Sequence, residues 1–321
     1  MTRVLVVGVA AFAAAVVLTP VAMAVATRTG VVDRPGLLKP QSLPVPYLGG
    51  VAVFLAAVVG AAVGHPVVIA PLAGAVVLGV LDDRLDLPAP LRLLGQAAIG
   101  AAVAGVVPTK VGGIGGGILV AAVAVLLMNG VNFLDGLDAL AAGTVALCCV
   151  GFAVVLHGGP RDVAVAVAAA LAGFLVYNRP PARVYLGDGG AYLLGTTLAV
   201  LLASAWAPGT RSSLSVATIA LVAIPAAEVT FAVVRRLRAH QAITAGDRRH
   251  PYDLLVARGW RRSAAAVAYI GGEGLFAVAA VGTSKAHNLA AAIACVCATA
   301  VVVVVLAGAC GALSPEPGAA A

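Results

Sequence analysis

The chain has 321 residues; 62% are hydrophobic in a count that leaves out its 38 glycines, and only 10% are charged. An ordinary soluble domain is about 45–50% apolar with glycine included and about 25% charged. This composition, with a mean hydropathy of +1.07, therefore excludes a soluble globular domain, a disordered chain and a coiled coil. The net charge of +7 does not indicate a nucleic-acid partner, because the basic residues are scattered through short connections between apolar blocks rather than gathered on one face.

The apolar blocks run to roughly 17–23 residues, the length that crosses a bilayer as a helix. A transmembrane β-barrel is excluded, since its strands alternate and are half as long. The sequence predicts an all-α polytopic membrane protein, a single integral domain over 1–321 immersed in membrane lipid. Eleven spans are expected, at about 4–26, 48–64, 67–81, 91–107, 114–131, 139–157, 162–177, 190–206, 213–234, 263–283 and 287–309. The first, with Arg3 and Ala22-Met23-Ala24, shares features with signal peptides, but a chain with ten further spans gains nothing from cleavage, so it is expected to be retained. The tail, about 311–321, is short and Pro-containing and is expected to fray. Counted from an outside N-terminus, fifteen of the 20 basic residues fall in odd-numbered connections and five elsewhere. The positive-inside rule then puts the rich set in the cytoplasm, the N-terminus outside and the C-terminus inside. The five cysteines lie in or at the end of apolar blocks without CxxC spacing, and read as small core residues.

The acidic residues are one-sided. Nine of 13 lie in or beside cytoplasmic connections: Asp33, Asp82, Asp83, Asp86, Asp135, Asp138, Asp188, Asp247 and Asp253. Solvated loop acids paired with nearby arginines would look like this one at a time. Four separate loops bringing Asp to one face suit a metal and phosphate site, where Mg²⁺ takes one or two carboxylates plus substrate phosphates.

In chain order, the first of these loops carries Asp33, Lys39 and the turn Pro46-Tyr47-Leu48-Gly49-Gly50, whose glycines permit close backbone approach. The second reads Leu81-Asp82-Asp83-Arg84-Leu85-Asp86. Adjacent aspartates repel unless a cation or proton intervenes, and in a helix Asp82 and Asp86 would share a face. The third carries Asn129, Asn132, Asp135 and Asp138 at every third position, one polar stripe if the helix continues, which is expensive at the end of a span unless it binds something. The fourth reads Leu186-Gly187-Asp188-Gly189-Gly190, a close-approach turn whose N–H groups can meet an anion. The fifth, about 235–262, holds eight arginines, His240 and His250 around Asp247-Arg248-Arg249-His250-Pro251-Tyr252-Asp253. It reads equally as a phosphate-binding lid or as basic residues on anionic lipid. The glycine-rich Gly112–Gly117 stretch lacks a following Lys-Ser/Thr and reads as a flexible turn.

These five motifs, in this order, resemble the polyprenyl-phosphate N-acetylhexosamine-1-phosphate transferases. The carrying residues are the Pro46-to-Gly50 turn, Asp82-Asp83-Arg84-Leu85-Asp86-Leu87 followed by Arg92-Leu93-Leu94-Gly95-Gln96, the Asn129-to-Asp138 stripe, the Pro181-to-Gly190 turn and the His250 loop. The resemblance implies an enzyme of the plasma membrane with its site on the cytoplasmic face. It would transfer a sugar-1-phosphate from a UDP-sugar to undecaprenyl or decaprenyl phosphate and release UMP, the N-acetylglucosamine-type branch being favoured by eleven spans. It also implies Mg²⁺, or Mn²⁺ in its place, held by Asp188 and Asn132. Asp82 and Asp83 would form the acidic pair at the reaction centre. Asp135 and Asp138 would serve the uridine side, and His250, Arg248 and Arg249 the diphosphate or sugar. Lys39, Asp86 and Asn129 complete the expected substrate-binding set, and a homodimer is an expected assembly.

Four departures from the family pattern involve five positions. Gln41 stands where a His is usual, Ala139 and Ala191 replace a Gly and a Ser, and Tyr252 and Asp253 interrupt a His cluster. The rival readings are the lipid I translocase branch, a transporter or flippase for lipid-linked sugars using Glu228 and Glu273, and a catalytically silent relative. Polar residues clustered at one surface without an internal repeat argue against transport.

Overall fold

The computed structural model describes residues 2–33, 44–244 and 249–314. It is a bundle of helices: α1 Thr2–Thr29, α2 Gly49–Gly64, α3 Ile69–Leu85, α4 Ala89–Val106, α5 Gly113–Leu134, α6 Leu140–Val155 and α7 Gly158–Asn178, followed by α8 Gly187–Ala205, α9 Ser212–Ala217, α10 Ala223–Arg238, α11 Pro251–Ala257, α12 Arg262–Lys285 and α13 Leu289–Ala309. Each of the eleven apolar segments coincides with helix. Among the described residues, nine helical segments are long and apolar enough to cross a membrane, and α2 and α6 are shorter apolar helices. At 1.5 Å per residue, 16 residues reach about 24 Å, short of a hydrocarbon core of about 30 Å.

Several local features differ from expectation. A two-stranded antiparallel ribbon pairs β1 (Val32–Asp33) with β2 (Val45–Pro46). The ninth segment is not one helix: a 3-10 stretch at Thr218–Val222 separates α9 from α10. Pro225 explains the break, because it has no N–H for the carbonyl four residues back and its ring crowds that turn. α10 then runs on to Arg238, so Arg235 and Arg236 are buried helical residues rather than loop residues. The polar stripe is also interrupted. α5 stops at Leu134 with Asp135 as its C-cap, which leaves Asn129 and Asn132 on the helix and Asp138 in the following turn. Gly113–Gly117 form the start of α5 instead of a flexible turn. Cys297 lies exposed on α13, whereas Cys148 and Cys149 are core residues.

The centre of the bundle is α8. Of its apolar stretch 89% is buried, against 11% for α13. Helix α8 is apolar or small on every side, as an enclosed helix must be, and it packs on α2, α3, α4, α5, α6 and α7. The approach is close because glycines sit at the crossings. A Cβ at Gly50 would overlap the Gly190 backbone of α8, and one at Gly79 of α3 would overlap the carbonyl of Asp188 and the N–H of Gly189. The far end of the chain is tied down as well. The guanidinium groups of Arg235, Arg238 and Arg258 donate to the carbonyls of Ala312, Leu313 and Ala309. This packs residues 311–314, while 315–321 lie outside the described residues.

One strained position marks a departure from the family pattern. Ala139, just before α6, has φ 65°, a left-handed conformation that costs a side-chain-bearing residue roughly 1–2 kcal/mol. Glycine relieves that strain but has a more flexible unfolded chain. Ala139→Gly is therefore expected to raise unfolding stability by about 0.5–1 kcal/mol, read as a higher thermal midpoint in detergent; a lowered midpoint would refute the strain.

Candidate active site

Three helix ends meet at one end of the bundle: the C-terminal ends of α3 and α5 and the N-terminal end of α8. α3 ends in the acidic pair. Asp82 is buried, and its carboxylate accepts from Tyr192 Oη at 2.5 Å and from the Leu87 N–H at 3.1 Å, with Arg92 Nη1 3.6 Å away. Asp83 is partly exposed and accepts from the Asp188 and Gly189 N–H groups at 3.1 and 3.4 Å. It thereby caps α8, whose first N–H groups have no partner within the helix. Gly187 makes the turn into α8 with φ 67°, and a Cβ there would come within 2.6 Å of Asp83 Oδ2. Asp188, in the first turn of α8, accepts from Asn132 Nδ2 of α5 at 2.5 Å. So Asp82, Asp83, Asn132 and Asp188, distant in sequence, form one cluster.

The remaining expected site residues divide. Asn129, one turn below Asn132, donates to Gln96 Oε1 at 2.6 Å. Asp135 lies within electrostatic reach of Asp188, Asp83 and Asp138. Asp138 accepts from the Ala182 N–H at 3.0 Å, which ties the turn after α5 to the loop before α8. Asn178 reinforces that tie by bridging the Ala139 N–H and the Val184 carbonyl. Asp86 is the exposed, left-handed C-cap of α3 with φ 49°, so it does not share a helix face with Asp82. Lys39 and Arg248 lie outside the described residues, as does Gln41, and Arg249 is partly buried.

His250 is buried. Its Nδ1 is 2.8 Å from Glu228 Oε2 on α10, and its ring lies 5.0 Å from that of Phe133 and 5.4 Å from that of Tyr252. Phe133 follows Asn132 directly, so His250 packs against the residue next in the chain to one member of the cluster. Tyr252, where a His is usual, turns inward and donates to the Phe133 carbonyl at 2.6 Å. Sequence reasoning did not single out Tyr192, took Tyr252 only as a departure from the family pattern and Arg236 as one of the loop arginines, and met Glu228 only in the rival transport reading. An acid inside an apolar span was the available signal for Glu228. For Tyr192 it was a phenol four residues after Asp188, one turn along the same helix.

A groove of about 330 Å³ opens from this cluster between α4, α5 and α10. Arg92, Asn129, Asn132 and Arg236 line its polar part, and Leu93, Val125, Leu126, Val229 and Val233 its apolar part. A larger cavity of about 430 Å³, lined by Trp206, Val120 and Phe231 among others, has no charged residue in its wall and therefore offers nothing to ionic chemistry.

The cluster is rich in negative charge. Burial, then the charges of Asp188, Asp83 and Asp138, raise the Asp135 carboxyl well above its ordinary 3.8. Among the described residues no three His, Cys, Asp or Glu side chains form a metal cage. The residues do fit a hard cation that takes one or two protein oxygens and completes its shell with water and phosphate. Asp188 and Asn132 stand side by side, other carboxylates are close, and Arg92 is a nearby cation. The folded state holds the Asp135 proton to higher pH than the unfolded chain does. The associated stability is thus present below about pH 3.8 and is lost as pH rises through the folded-state value. Without divalent cations, the thermal midpoint should fall as pH rises from the ordinary carboxylate range, and Asp135→Asn should flatten that slope. An unchanged slope in the variant would place the effect elsewhere.

Fold and site together define a polytopic membrane protein with a cluster of carboxylate and amide side chains at one end of its bundle. Residues 65–205 match the family described as Glycosyl transferase family 4. The decaprenyl-phosphate N-acetylglucosaminephosphotransferase of Mycobacterium tuberculosis (strain ATCC 25618 / H37Rv) is 32% identical, over 74% of this chain and 71% of that protein. The probable undecaprenyl-phosphate N-acetylglucosaminyl 1-phosphate transferase of Bacillus subtilis (strain 168) is 29% identical, over 88% of this chain and 85% of that protein. The undecaprenyl-phosphate alpha-N-acetylglucosaminyl 1-phosphate transferase of Escherichia coli (strain K12) is 27% identical over 74% and 72%. The chain belongs to glycosyl transferase family 4.

Proposed function

We propose that the chain transfers N-acetylglucosamine-1-phosphate, or a related N-acetylhexosamine-1-phosphate, from its UDP-sugar to undecaprenyl or decaprenyl phosphate. A phosphate oxygen of the lipid attacks the phosphorus that bears the sugar, the bond to the uridine-bearing phosphate breaks, and UMP leaves. The observation that carries this reading is that the family match runs through Asp82, Asp83, Asn132 and Asp188, the residues that converge in space. The named relatives perform this class of transfer.

A phosphate attacking a diphosphate is limited by charge and positioning far more than by acid–base chemistry. Asp188 and Asn132 would hold Mg²⁺, which when bound would neutralise charge developing on the phosphates. Asp83, the more exposed of the pair, orients the lipid phosphate or accepts its proton, and Asp82 fixes Tyr192 and Arg92 behind it. The groove between α4, α5 and α10 takes the first part of the prenyl chain along its apolar wall. Asn129, Asp135 and Asp138 serve the uridine side, while Arg248, Arg249 and His250 serve the diphosphate and sugar. Eleven spans with the N-terminus outside would place this end in the cytoplasm. The arginines of the α10–α12 region gather at the same end, as the positive-inside rule requires.

The test is UMP release by purified protein with Mg²⁺ and undecaprenyl phosphate across a panel of UDP-sugars, including UDP-N-acetylglucosamine and UDP-N-acetylmuramoyl-pentapeptide. Release with an N-acetylhexosamine donor supports the reading. Silence with all donors, while a known relative works alongside, refutes it.

A further inference from the structure

His250 is held from three sides by groups that come from separate parts of the chain. Phe133 lies in the last turn of α5, Tyr252 in the first turn of α11, and Glu228 projects from α10. Glu228 is 2% exposed. A carboxylate removed from water in this way is costly unless each oxygen is satisfied. Both are: Oε2 is 2.8 Å from His250 Nδ1, and Oε1 accepts from Tyr269 Oη of α12 at 3.0 Å. Tyr269 in turn meets Tyr252 edge to face at 6.0 Å. With Nδ1 committed to Glu228, the ring's remaining polar atom is Nε2. A carboxylate on one imidazole nitrogen sets the tautomer, so that Nδ1 carries a proton and the ring cannot flip without losing its partner.

We infer that Glu228 is a positioning residue for the transfer, with Tyr269 as its anchor: the Tyr269–Glu228–His250 relay fixes the orientation and tautomer of the imidazole that packs on Phe133, next in the chain to Asn132. This rests on the reading of His250 as part of the transferase site. The relay also accounts for an acid within an apolar span without any transport role. In addition, it explains how the first turn of α11 tolerates Tyr252 and Asp253, since His250 is oriented from α10 and not by neighbouring histidines.

A double-mutant cycle tests the inference, using full-length protein in detergent with Mg²⁺, UDP-N-acetylglucosamine and undecaprenyl phosphate. Glu228→Gln should lower kcat by about 10–100-fold, Glu228→Asp should recover part of that, and Tyr269→Phe should cost less than Glu228→Gln. In a His250→Gln background each should change the remaining rate by less than about twofold, because groups acting through one residue are non-additive. Equal factors in both backgrounds would overturn the inference and leave Glu228 a support for the fold. A second readout needs no activity. In protein labelled with ¹⁵N-histidine, the His250 signals, assigned by their absence in His250→Gln, should shift in Glu228→Gln; unchanged signals also overturn it. If wild-type protein released no UMP while the signals shifted as expected, the proposed reaction would fail and the pairing would stand.

Discussion

Asp188→Asn should lower UMP release at least about a thousandfold while leaving the protein folded. The first half of the expectation comes from where Asp188 stands. It is the one carboxylate of the cluster that joins all three helix ends: it begins α8, accepts from Asn132 of α5, and offers its N–H to Asp83 of α3. Losing one group aimed at developing charge costs about 10²–10³ in rate, and an asparagine there also removes the formal charge that would retain a cation. The second half follows because Asp83 caps α8 through backbone N–H groups, which the substitution leaves in place. Mn²⁺ binding followed by electron paramagnetic resonance separates the two halves, with a bound signal expected in wild type and absent in the variant. Retention of more than about a tenth of the activity would sink the assignment of this cluster as the reaction centre.

The other large effect is steric. Gly79→Ala adds one methyl group where the backbone of α8 already lies, against the Asp188 carbonyl and the Gly189 N–H. No flexible side chain can yield there, so α3 and α8 must part. Every hydrogen bond across that crossing then lengthens, including Tyr192 to Asp82 and the two donors to Asp83. Misplacing reacting groups by about 1 Å can cost about 100-fold, so a loss of that order is expected together with a lower thermal midpoint. Gly74→Ala on the same helix is the control. Its Cβ would meet only Ile99 Cγ1 at 3.8 Å, an ordinary contact, and activity should stay near wild type. Equal losses in both variants would show that helix content, and not the crossing, was disturbed.

Much of this architecture was legible in the sequence because hydropathy registers length. Every apolar block long enough to be a helix is one. The acidic cluster was legible for a related reason: carboxylates at the ends of apolar blocks have few low-cost environments, and Asp82, Asp83 and Asp188 share one. What escaped were facts about partners. Periodicity in a membrane chain is weak, since lipid-facing and core-facing residues are both apolar, so nothing local told that α8 is enclosed or that Tyr192 reaches Asp82. Spacing placed Asp138 in a stripe with Asn132, but the helix ends at Leu134 and one Asp138 oxygen accepts from the Ala182 N–H. Arg235 and Arg236 read as loop charges because the block's apolar count ends before them. Their burial depends on carbonyl acceptors such as Ala312 and Ile243, which the local sequence pattern does not reveal.

The two N–H groups that Asp83 holds form a helix N-terminus, a place where phosphate binds as readily as carboxylate. In the proposed reaction a substrate phosphate meeting that end would therefore compete with the Asp83 side chain for one pair of donors. The carboxylate already fills the place such an anion would take, so the helix end does not stand bare before substrate arrives.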